Sequence, residues 1–230
     1  MNIVSSLFTI LCALVLPIGA AIYLCVRRQG IWKPLLFGAL TFVLFQVLIR
    51  IPIIQSVLPN TEWFLTMSYT QPVVHAIFLG VTAALVEEFG RYVIMRLFLK
   101  KNLCLMDGVS FGIGHGGIEA VLIAGIGALM MLVTDIGSVE PTIMLAGGFE
   151  RIFTMICHVG WSVMVMKSVR EKKIVWLLLA FITHTILDTF VGLAVYMGMG
   201  VWPTEAALML CAAFMIGYII YEIKKGDTKK

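Results

Sequence analysis

Apolar runs of about twenty residues, broken by short polar or proline-marked segments, fill the chain almost from its first residue to about position 223. At ~1.5 Å of rise per residue, such a run crosses the ~30 Å hydrocarbon core of a bilayer, so each one predicts a transmembrane helix. Seven are expected, over about 3–26, 34–56, 72–97, 107–132, 141–168, 174–197 and 204–223. Pro34, Pro72, Pro141 and Pro203 fall at or just before these starts, where a missing N–H costs a helix little. The expected fold class is all-α, a polytopic transmembrane helical bundle. It forms one domain over 1–230, with no room for a separate soluble unit.

Composition strengthens this picture. The chain is 60% hydrophobic and 13% charged, with a mean hydropathy of +1.01, far from soluble averages. Its net charge of +4 is too small and too dispersed for a nucleic-acid surface. Cys12, Cys25, Cys104, Cys157 and Cys211 are odd in number and scattered, with no CxxC spacing, which predicts neither a disulfide framework nor a thiolate metal clip. The first run lacks a basic segment ahead of it and is followed by Arg27, Arg28 and Lys33, so it is expected to stay as a helix.

The cations also predict orientation, because Lys and Arg are retained on the cytoplasmic side. Arg27, Arg28 and Lys33 follow the first span; Arg96, Lys100 and Lys101 the third; Lys167, Arg170, Lys172 and Lys173 the fifth; and Lys224, Lys225, Lys229 and Lys230 the last. The other connections carry only Glu62, then Asp135 and Glu140, then Glu205. The expectation is N-terminus out and C-terminus in. Trp32, Trp63 and Trp202 read as interfacial anchors near span ends.

This sorting leaves Arg50, Arg91, Arg151, Glu87, Glu88, Glu119, Glu150 and Asp188 inside predicted helices. A charge near a helix centre costs about 2.5–3.5 kcal/mol on insertion scales, so such residues pair, line wet cavities or carry function. Counted along the spans, Glu87, Glu88, His115, His158 and His184 share a level roughly 12–15 Å from the cytoplasmic end. Glu87 and Arg91, His115 and Glu119, and His184 and Asp188 are each four residues apart, on one helix face. Imidazole beside carboxylate either fixes a histidine tautomer or offers two metal ligands. Arg50 is expected to pair with Glu150, joined by Arg151, although Glu150 could instead face His158. His75 is expected to be a bystander. Gly108, Gly112, Gly116, Ala120, Ala124 and Ala128 form a small-residue stripe, which permits close helix packing beside Phe111, His115 and Glu119.

Glu87-Glu88-Phe89-Gly90-Arg91, Phe111-Gly112-Ile113-Gly114-His115 and His184-Thr185-Ile186-Leu187-Asp188 resemble the EExxxR, FxxxH and HxxxN motifs of the type II CAAX-protease superfamily of intramembrane proteases. With His158, they look most like its YhfC branch of bacterial membrane peptidases. The motifs lie in a core of about 72–197; the other spans match by hydropathy alone. The resemblance implies peptide hydrolysis within a bacterial cell membrane. It implies that Glu87 and His115 activate water, that Glu88 and Arg91 support the site, and that His184 and Asp188 face the oxyanion. Two positions depart from the pattern. The Arg comes one residue early, as the Lys does in the related PrsW motif EExxK. Asp188 replaces an Asn, and an ionised carboxylate would repel an oxyanion.

Asp188 could be protonated, orient His184 or bind a metal. His115, Glu119, His158 and His184 offer nitrogen and oxygen ligands suited to zinc, with Glu87 or Glu88 as general base. A metal-free, Glu-activated water is the competing mechanism. The expected function is an intramembrane peptidase acting on membrane or membrane-apposed substrates from a cavity open toward the cytoplasmic half. A proton or divalent-metal transporter using the same cluster is the rival reading, and a purely structural scaffold a third.

Overall fold

In the computed structural model of the chain, residues 3–99, 103–134 and 139–226 are described. Lys100, Lys101, Asp135, Lys229 and Lys230, which the charge pattern used, lie outside them. Eight helical segments follow in order: α1 Ile3–Arg27, α2 Trp32–Asn60, α3 Glu62–Thr70, α4 Pro72–Leu99, α5 Leu105–Val133, α6 Pro141–Glu171, α7 Val175–Tyr196 and α8 Val201–Lys224. All but α3 are long and apolar enough to cross a membrane. The chain is thus a seven-span transmembrane helical bundle with no strand among the described residues.

The expected spans match α1, α2 and α4–α8 to within a few residues. The exception is α3, in a stretch read only as a connection. Thr61 is extended and begins the helix, and Phe64 is buried against the rings of Trp63, His75 and Phe78. Two residues counted with the connections are buried inside helices. Lys167 is buried in the last turns of α6, 2.5 Å from Glu222 of α8 and 3.8 Å above the Trp176 ring. Glu205 is buried in the first turns of α8. Both sit near span ends, where residue counting cannot tell connection from helix.

Prolines inside spans leave a visible mark. A proline lacks an N–H, and its ring collides with the carbonyl four residues earlier. The wider turns at Leu11–Val15, Val43–Arg50 and Ile53–Val57 come just before or around Pro17, Pro52 and Pro59. A wider turn gives the ring room while keeping backbone groups bonded where no water can reach them. The longest of these turns carries Gln46 and Arg50.

α5 is packed closely on two sides. A Cβ on Gly112 would collide with the backbone of His158 and Val159, so α6 can approach α5 only because that position is glycine. Gly38 of α2 meets the Phe111 carbonyl of α5 in the same way. On the far side α4 packs on α7, with Gly80 against Thr185 and Thr189. The polarity of the bundle is inverted relative to a soluble protein: Glu87, Glu88, Arg91, His115, His158 and His184 are at most 4% exposed, while Val26, Leu48 and Leu210 are 63–78% exposed. Apolar side chains face outward where lipid lies, and charge is gathered inside.

Candidate active site

Arg91 organises the centre. One turn of α4 separates it from Glu87 and Glu88, and its guanidinium reaches both. Nη2 bonds Glu87 Oε2 at 3.0 Å, and Nη1 bonds Glu88 Oε1. Nη2 also lies 2.7 Å from His158 Nδ1, which must accept because a guanidinium only donates. One arginine thus ties α4 to α6. The early position of this arginine in its motif places it between both carboxylates.

α5 and α6 supply the next layer. His115 Nε2 lies 3.0 Å from Glu87 Oε2, with Phe42 edge-on to the imidazole at 5.3 Å. Glu119 Oε1 accepts from Arg151 Nη1 at 3.2 Å, and Arg151 also bonds Glu150. Glu119 Oε2 lies 2.6 Å from His158 Nε2, the ring nitrogen that carries the proton when Nδ1 accepts from Arg91. One ligand atom from each of Glu87, His115, Glu119 and His158 lies within 4.8 Å of the others. His184 is outside this group, its ring 6.0 Å from that of His158.

His184 occupies its own niche. Nδ1 meets Glu88 Oε1 at 2.8 Å, and Nε2 faces Asp188 Oδ2 at 3.5 Å. Trp161 stacks on the imidazole and donates from Nε1 to Thr183 Oγ1 at 3.0 Å.

A cavity of about 410 Å³ joins the two groups. Glu87, Glu119, His158, His184 and Asp188 line it, while Glu88, Arg91 and His115 stand behind its wall. It extends from the level of His158 and His184 past Arg50, Leu79, Glu150 and Gly192, toward the end of the bundle that carries α3, Glu140 and Gly198–Gly200. The cation-bearing connections are at the opposite end. A cavity toward the cytoplasmic half is therefore incompatible with the N-terminus-out orientation; counting depth fixed a level and not the side on which space lies.

The expected pairing of Arg50 with Glu150 does not form. α2 lies against α4 and α5, so Arg50 turns to Gln46, the Leu79 carbonyl and Thr82, while Glu150 takes the adjacent Arg151. His75 bonds the Tyr196 hydroxyl, away from the cluster. Gln46 and Trp161 belong to the site and were not anticipated. Gln46 donates from Nε2 to Glu87 Oε1. The available signal for each was a polar amide in mid-span and a tryptophan far from either interface.

The donor chemistry fits a divalent cation. Glu87, Glu88, Glu119, Glu150 and Asp188 outnumber Arg50, Arg91 and Arg151 around the centre. Two imidazoles and two carboxylates whose ligand atoms lie within 4.8 Å of one another are ligand types that zinc prefers.

Comparisons with known proteins agree with this chemistry. The profile of a family described as YhfC intramembrane metalloprotease matches residues 12–140 and 135–212. The uncharacterized membrane protein YhfC of Bacillus subtilis is 28% identical over 242 residues, covering 93% of this chain and 92% of that protein. No solved structure matches the chain. Through the profile match over most of its length, this multi-pass membrane protein belongs to the YhfC intramembrane metalloprotease family.

Proposed function

We propose that the chain is an intramembrane metallopeptidase that hydrolyses peptide bonds of membrane or membrane-apposed substrates. The observation that carries this reading is one cavity lined by Glu87, Glu119 and His158 together with His184 and Asp188.

In this mechanism His115, Glu119 and His158 would hold the metal, which requires His158 to free a ring lone pair by giving up its Nδ1 contact with Arg91 or its Nε2 proton. Bound there, zinc supplies Lewis acidity to the attacking water and the scissile carbonyl. Glu87 takes the proton from the water; Gln46 and Arg91 fix its two oxygens, and His115 lies beside it. His184, held between two carboxylates, has both ring nitrogens facing acceptors, which suits the doubly protonated form. It donates a hydrogen bond to the developing oxyanion and then a proton to the leaving amine. Asp188 orients that ring, which explains an acid where the wider superfamily has an amide. With the N-terminus outside, the substrate enters from the non-cytoplasmic half.

The test is cleavage in proteoliposomes containing a mixture of membrane-spanning peptides, with new chain ends detected by mass spectrometry. Wild type yields new ends, 1,10-phenanthroline suppresses them and added zinc restores them; Glu87→Gln and His184→Ala yield none. Zinc or proton flux across the same vesicles without cleavage would overturn the peptidase reading in favour of transport.

A further inference from the structure

Arg50 is a charged group on the cavity wall that the hydrolytic scheme leaves unused. Its Nη1 bonds Gln46 Oε1 at 3.3 Å, and its Nη2 reaches the Leu79 carbonyl at 2.8 Å and Thr82 Oγ1 at 3.4 Å. All three partners are neutral, and its Nε is buried without a partner. Among the described residues no carboxylate forms an ion pair with Arg50, whereas Arg91 and Arg151 each hold two. A guanidinium on the wall of a membrane-embedded cavity with no carboxylate in direct contact, Glu87 and Asp188 lying farther along the same wall, offers a contact for an anion.

Its position says which anion. Arg50 lies one helical turn from Gln46 on α2, toward the acidic end of the cavity, and Gln46 in turn holds Glu87. A charge bound at Arg50 is therefore one side chain away from the proposed base. Ile51, Leu79, Val191 and Leu208 make the surrounding wall apolar, and about 410 Å³ accommodates a short stretch of peptide. A single guanidinium at this point of the wall matches a planar carboxylate better than a phosphate, which gathers several donors.

We propose that Arg50 is a substrate-recognition residue that binds a carboxylate of the peptide, a free C-terminus or an acidic side chain, and so sets which bond reaches Glu87. The proposal rests on the peptidase reading. A phospholipid phosphate shares the anion chemistry and is the competing source.

Binding is read as thermal stabilisation of the detergent-purified chain by three probes: an N-lauroyl dipeptide with a free carboxylate, its C-terminal amide, and lauryl phosphate. The acid is expected to bind wild type about tenfold more tightly than the amide. Arg50→Gln erases that preference without weakening the amide. Arg50→Lys, which keeps the cation on a different reach, retains about a threefold preference and carries the test if Arg50→Gln does not fold. Equal binding of acid and amide to wild type, or an acid preference surviving in Arg50→Gln, would overturn the proposal. So would Arg50-dependent binding of lauryl phosphate alone, which would make this a lipid-headgroup site. No turnover is measured, so an Arg50-dependent acid preference supports the subsite even if the cleavage assay fails, and that failure then counts against hydrolysis alone.

Discussion

Trp161 and His184 lie face to face, their ring centroids 4.0 Å apart and their planes 8° from parallel. Trp161 belongs to α6 and His184 to α7, and the tryptophan is held in turn by its bond to Thr183. The imidazole is therefore clamped on one face by an indole and at its edges by Glu88 and Asp188. Its ring plane cannot turn without breaking one of these contacts.

If that clamp sets the donor direction of His184, Trp161→Leu lowers kcat for peptide cleavage by about tenfold or more, within the range general acid catalysis supplies. Trp161→Phe keeps an aromatic face and stays within about threefold of wild type. Metal content separates this role from simple packing, because it is expected to be unchanged in both variants. Loss of metal in Trp161→Leu would mean that the whole centre had shifted.

Gln46 supports Glu87 from outside the motifs. Removing such a supporting hydrogen bond typically costs 10–100-fold in activity, so Gln46→Leu should lower turnover by about that factor with a folded protein. Gln46→Glu should be worse, since it sets a carboxylate against a carboxylate away from water. Equal activity in Gln46→Glu and wild type would show that Glu87 is not held through this contact.

Gly112 tests whether helix approach positions His158. Valine there meets the α6 backbone and must push α5 and α6 apart, at about 1–3 kcal/mol for overpacking. The expected result for Gly112→Val is a lower unfolding temperature together with loss of bound metal. Gly127→Ala, where nothing lies within 4 Å of the added Cβ, should change neither.

Legibility in the sequence divides along physical lines. Spans were readable because bilayer thickness fixes helix length, and prolines and charges mark the ends. The level shared by Glu87, His115, His158 and His184 followed from helical rise alone. Partner choice is not readable, because it depends on which helices touch: Arg50 and Glu150 match by depth, but α2 packs on α4 and α5. Gln46 is not legible because an uncharged amide in mid-span carries a weaker signal than an ionisable group. Trp161 was missed because tryptophan in a membrane protein normally reads as an interface anchor. The α3 helix escaped because a hydropathy scan registers only elements long enough to span.

The most direct test of the metal centre is metal content per chain in detergent-purified protein, for wild type beside Glu119→Gln, His158→Ala, Glu87→Gln and His184→Ala. The account predicts about one zinc or similar divalent ion per wild-type chain. That ion is lost in Glu119→Gln and His158→Ala but retained in His184→Ala, and retained in Glu87→Gln despite its lack of turnover. A folded wild type without metal, or full metal content in Glu119→Gln and His158→Ala, would contradict it.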